Sequence, residues 1–160
     1  MEPLSWEYLD KSSWPPGPWH QEPDGVCWLD AATQRLCVVA RGVGGVWNGY
    51  VIVPPMHPAV GKHREDFHGV RVHGDVSYSG PCGDLDPDFG VCAHVHPQAP
   101  RIHAWLVGFD CGHGSDLQPL LLPLIERLAA RLGGRAERFQ RYRTLPYARQ
   151  QCHLLATQLG

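Results

Sequence analysis

The sequence predicts an α+β fold: one domain with an antiparallel or mixed β-sheet, two C-terminal helices and an irregular, Pro- and Trp-rich N-terminal arm. Three observations predict it. Runs of β-branched and aromatic residues are concentrated in 36–110, helical apolar periods are confined to 117–160, and strands therefore precede helices instead of alternating with them. With 160 residues the chain suits a single domain that buries enough surface to fold without staples.

The elements follow in chain order. Residues 1–25 contain Pro15, Pro16 and Pro18, which oppose a regular ladder or helix, and Trp6, Trp14 and Trp19, which favour an arm docked on the body. LCVVAR (36–41) and WNGYVIV (47–53) flank GVGG and read as a hairpin closed off by Pro54 and Pro55. Residues 56–68 read as a loop. In 69–79 an alternation of Val70 and Val72 with Val76 and Tyr78 slips at Gly74, predicting two short strands around a bulge or turn. IHAWLVGF (102–109) reads as a buried strand running into the loop DCGHGSD. Leu121, Leu124, Ile125, Leu128 and Leu132 form a helical period ended by Gly133-Gly134. Thr144 is a suitable N-cap, Pro146 fits the first turn, and Leu145, Ala148, Cys152, Leu155 and Leu159 make one apolar stripe.

Composition excludes several classes. No run approaches about 18 uninterrupted apolar residues, which excludes a spanning helix, and Met1–Asp10 lacks the basic and apolar regions of a signal peptide. A cytoplasmic protein with no membrane partner and mostly reduced cysteines is expected. The net charge of −2 argues against a partner such as long nucleic acid. That small value hides an asymmetry: residues 1–100 carry six basic against twelve acidic residues, a charge of −6, and residues 101–160 carry eight Arg against four acids, a charge of +4. The Arg-rich part is either a solvated face or an anion-binding one, and the two halves could pair between subunits of a homo-oligomer.

Three clusters carry possible chemistry. Asp110, His113 and Asp116 lie in one loop after a strand, where a base, its orienting carboxylate and a second acid, a set of metal ligands, or a turn and a helix cap, are all consistent readings. Cys82, Cys92, His94 and His96 offer a zinc option of irregular spacing; otherwise no cofactor is expected. His57 follows a strand end and His73 interrupts a Val-rich run, with Ser77, Tyr78 and glycines nearby. Trp47, Tyr50 and Trp105 could form stacking walls, Tyr78 with Ser77, Ser79 and the neighbouring glycines would allow close approach of a ligand, and Arg143 could bind an anionic group.

The blocks KSSWPPGPWHQEPD, WNGYVIVPPMHPAVGK, VHGDVSYSG, WLVGFDCGHGSD and YRTLPYARQQCHLLATQL resemble a family of small phage and actinobacterial proteins. The matching positions are Gly49, Tyr50, His57, Pro58, Gly61, Val72, His73, Gly74, Phe109, Asp110, Cys111, His113 and Asp116, with departures at Asn48 and Asp75. The resemblance implies a phage or mobile-element setting, in which a small protein often counters host defence. The expected function is binding and sequestration of a small phosphorylated or nucleotide-derived signal by Tyr50, His57, His73, Tyr78, Asp110, His113, Asp116 and Arg143. Alternatives are a His/Asp hydrolase, with or without a metal, and an inhibitor that contacts a host protein through the Trp-rich arm.

Overall fold

The computed structural model describes residues 2–92 and 104–160. Its centre is a six-stranded antiparallel sheet: β1 (Leu4–Trp6), β2 (Gly25–Leu29), β3 (Leu36–Arg41), β4 (Trp47–Val53), β5 (Tyr78–Pro81) and β6 (Trp105–Asp110). The spatial order is β1-β2-β3-β4-β6-β5. Two helices follow, α1 (Leu122–Arg131) and α2 (Leu145–Leu159). The α+β class holds, as does the 36–53 hairpin, in which Val38 pairs with Tyr50 and Arg41 with Trp47.

Alternation along the strands sorts side chains to two faces. Trp28, Val39, Val51, Val107 and Phe109 meet Ala148, Cys152, Leu155 and Ala156 of α2. Cys27, Val38, Tyr50 and Leu106 point the other way, toward Cys82 and Val91. Gly49 lets α2 approach, since a Cβ there would stand 2.4 Å from the Phe109 ring and 2.9 Å from the Cys152 sulfur. α2 begins as expected, with Thr144 Oγ1 accepting the Tyr147 N–H.

The arm is more regular than its prolines imply. Leu4–Trp6 precedes them and pairs with β2, leaving Pro18–Gln21 as a short 3-10 turn. Trp14 and Trp19 are buried, and Trp6 is half-buried. A closed ion cluster fixes the arm. The Arg41 guanidinium, 4.3 Å from the Trp47 ring centroid, lies 3.3 Å from Asp24 Oδ1 and 3.4 Å from Glu22 Oε1. Asp24 also pairs with Lys11 and accepts the Tyr8 and Leu9 N–H groups. Glu22 accepts the Leu145 N–H at 2.6 Å, tying the arm to the first turn of α2.

Two expectations are corrected. Of the strand pair expected in 69–79, only the second forms, as β5. The backbone of 71–73 is pegged to α2 instead: Gln158 takes the Arg71 N–H and donates back to its carbonyl, and Gln151 accepts the His73 N–H. Gly74 and Asp75 then turn with positive φ (63° and 68°). The predicted apolar stripe of α1 also faces outward, except for Ile125. Leu121, Leu124, Leu128 and Leu132 are exposed, while Ala129 is buried and Leu122 and Ile125 pack against the Trp14–Trp19 cluster.

Candidate functional site

The loop after β6 is shaped by its own side chains. Asp110 Oδ1 accepts the Gly112 N–H at 2.9 Å, bending the chain as an Asx turn. Asp116, fully buried, accepts the His113 N–H at 3.0 Å and closes the loop. Backbone bonds from Arg141 to Ser115 and from Leu117 to Arg141 hold the loop beside the segment that leads into α2.

Asp116 is the hub. His73 Nε2 lies 2.8 Å from Asp116 Oδ2, and Arg143 Nε donates to Oδ1 at 2.8 Å. Burial alone would raise this carboxyl, but the hydrogen bonds from His73, Arg143 and the His113 N–H outweigh it and hold it below the usual carboxylate value. The carboxylate can only accept, so His73 Nε2 carries a proton, and Nδ1 lies 2.7 Å from the Tyr147 hydroxyl. Both His73 nitrogens are thereby committed, and His73 positions its neighbours instead of presenting a free base. Arg143 engages Asp116 through Nε alone and sits 5.1 Å from the Tyr147 ring centroid.

His113 is placed differently. Its ring is 5.8 Å from that of His73, and its Nε2 lies 3.3 Å from Asp110 Oδ1. Nε2 is buried against Gly74, where a Cβ would come within 2.0 Å of it, so this turn requires glycine for space as well as for φ. The rest of the imidazole is half-exposed and lines a cleft of about 560 Å³. The floor of the cleft is Phe67 and Val76, and its walls carry Arg64, Glu65, His68, Asp75, Ser77 and Asp110. Cys111, beside the loop, is no nucleophile: burial, helped by Asp116 and Asp110, pushes its thiol up to about 12.

Five residues expected at the site converge: His73, Asp110, His113, Asp116 and Arg143. Tyr50, His57 and Tyr78 do not join them. Tyr50 is buried under the opposite sheet face, 5.8 Å from Tyr78 in an edge-on pair, and burial raises its hydroxyl well above the usual value. Tyr78 donates to the Pro81 carbonyl, and burial pushes its pKa up to about 12. His57 Nε2 meets the Leu159 and Gly160 carbonyls at 3.0 Å, and its Nδ1 accepts the Ala59 N–H, so it fastens the end of α2. Each of these side chains has a packing or hydrogen-bonding role that the motif spacing did not reveal.

Tyr147, Gln151, Arg64 and His68 were missed. For the first two a signal existed: Arg143, Tyr147 and Gln151 recur every four residues beside the apolar stripe of α2. Arg64 and His68 stand in a polar loop without a pattern. Of the zinc candidates, Cys82 and Cys92 are joined as a disulfide, which occupies both sulfurs, and His94 and His96 lie outside the described residues. Among the described residues no group of three or more His, Cys, Asp or Glu side chains is arranged to hold a metal ion. Comparison of the chain with protein-family models, curated proteins and solved structures finds no match.

Proposed function

We propose that the protein captures a small phosphorylated or nucleotide-derived molecule in the cleft beside His113 and holds it intact. The observation that carries this reading is the make-up of the cleft. Its volume of about 560 Å³ suits a ligand of nucleotide size, its floor is apolar, and Arg64, His68 and His113 on its walls can meet an anionic group. The acids Asp75, Glu65 and Asp110 on the same walls can accept hydrogen bonds from ribose hydroxyls or a base. His73, Asp116, Arg143 and Tyr147 act behind the cleft as positioning residues. The resemblance to small phage and actinobacterial proteins supplies the setting: the captured molecule is a host immune signal and the protein a cytoplasmic counter-defence factor.

One observation favours a second reading, hydrolysis of the same class of molecule. Asp110 Oδ1 stands 3.3 Å from His113 Nε2, a buried nitrogen that has no hydrogen-bond partner among the described residues. An imidazole beside a carboxylate, at the wall of a cleft, is the pairing from which a general base is built.

One experiment separates the two. The protein is incubated with mono-, di- and cyclic nucleotides, isolated with whatever it retains, and denatured, and the released compound is analysed by mass spectrometry. Sequestration predicts intact nucleotide in amounts that fall in His113→Asn. Recovery of a cleaved product, on the protein or in the surrounding solution, sinks pure binding and supports hydrolysis, and finding neither retained nucleotide nor product contradicts both.

A further inference from the structure

Among the described residues, α1 presents an apolar surface that the body of the protein leaves uncovered. Leu124 is 49% exposed, Leu128 47% and Leu132 70%, and Leu121 continues the line into the preceding turn. Their spacing of three, four and four residues makes a continuous ridge about 17 Å long. The opposite side of α1 already has a partner, since Leu122 and Ile125 pack on the cluster of Trp14, Trp19, Leu117 and Ala136. Phe139, 45% exposed, extends the apolar surface where the chain turns after the helix, its ring close to Gly134. An amphipathic helix with one stripe bedded and a second stripe of leucines in water is built to receive something.

Charge identifies the occupant. Arg127 and Arg131, one turn apart, are exposed and border the leucine ridge, and exposed Arg135 and Arg138 follow at its end. Glu126 is half-buried and lies toward the inner side of the helix. A second copy pairing through a two-fold axis would bring the arginine borders against each other, because such an interface uses the same patch on both subunits. The ridge is also unlike a membrane-surface helix, which has a strongly charged polar face, whereas α1 carries only Arg127 and Arg131 against Glu126. Leucines at near-heptad spacing are helix-packing chemistry.

We infer that α1 is a docking surface for an acidic amphipathic helix of another protein, whose leucine-type side chains interleave with Leu124, Leu128 and Leu132 while its Asp or Glu residues pair with Arg127 and Arg131. This surface is independent of the cleft beside His113.

The test uses the full chain and two fluorescein-labelled designed helical peptides that share a leucine stripe, one with Glu borders and one with Lys borders, read by fluorescence anisotropy. The Glu-bordered peptide is expected to bind and to weaken as salt rises. Leu124→Asp with Leu128→Asp lowers affinity by at least about tenfold, because anchors at the centre of an interface carry most of the binding energy. The circular dichroism spectrum and melting temperature of that variant stay unchanged, since both side chains are exposed. Arg127→Glu with Arg131→Glu reverses the preference toward the Lys-bordered peptide. The inference is overturned if neither peptide binds, if both bind the wild type equally, or if the leucine variant binds as well as the wild type. It is also overturned if the ridge instead drives dimerisation in sedimentation equilibrium, or if the protein prefers phosphatidylglycerol vesicles to the Glu-bordered peptide.

Discussion

Two buried carboxylates organise this molecule, and their surroundings differ in one respect. Asp24 and Asp116 are both fully buried, both accept backbone N–H groups, and both face an arginine. In both, hydrogen bonds outweigh burial and keep the carboxyl below its usual value. Around Asp24 every charged neighbour is locked: Arg41 is under Trp47, Lys11 is bonded to the Trp19 and Glu22 carbonyls, and Glu22 caps α2. Around Asp116 the shell is closed on one side only. His73 and Arg143 are held, but the loop that Asp116 closes presents His113 half-exposed to a cleft. The same physics makes a rivet in one place and a platform in the other, and the difference lies in whether the last polar group is covered.

That contrast can be broken in four ways, from the largest effect to the smallest. Arg41→Met leaves Asp24 and Glu22 short of their buried cation and should cost roughly 3–5 kcal/mol in urea unfolding, the scale for breaking a buried ion pair. Asp116→Asn retains the shape but loses the charge that His73 and Arg143 satisfy. It should cost about 2–3 kcal/mol, the scale of hydrogen bonds to a charged group, and should lower nucleotide retention. Gly74→Ala combines a positive φ with a clash against His113. It should cost about 1–3 kcal/mol and displace the imidazole, visible as a changed His113 resonance. His113→Asn should leave stability within about 0.5 kcal/mol, as is usual for a half-exposed residue, yet remove binding.

Acid sharpens the comparison further. The folded-state carboxyls of Asp24 and Asp116 titrate below their ordinary values, so the stability each contributes is complete above the ordinary carboxyl value of about 3.9 and is lost as pH falls through the lower folded value. Stability measured from pH 6 downward should therefore fall less steeply for Asp116→Asn than for the wild type.

Most of the fold was legible because its signals are local. The hairpin of 36–53 has β-rich runs around a glycine turn, and α2 has a cap, a first-turn proline and one buried stripe. Three features were not legible, each for a long-range reason. Leu4–Trp6 becomes a strand only because Gly25–Leu29 lies beside it. Residues 71–73 leave the sheet because Gln151 and Gln158 of α2 satisfy their backbone. The leucine stripe of α1 reads as core by period, and the period carries no information about which side of a helix the body covers. At the site, the loop from Asp110 to Asp116 stood out in sequence because its polar residues are adjacent. Tyr147 joined it only through the fold, and His57 left it because the carbonyls that hold it are about a hundred residues away.

The central claim is that the open platform over Asp116 receives a phosphorylated ligand at His113. Histidine side-chain NMR tests it most directly, during titration with the nucleotide that the protein retains best. The account predicts that the His113 and His68 imidazole signals shift in a saturable manner while His57, fastened to the end of α2, does not move. Saturation of binding with an unmoved His113 signal would contradict it.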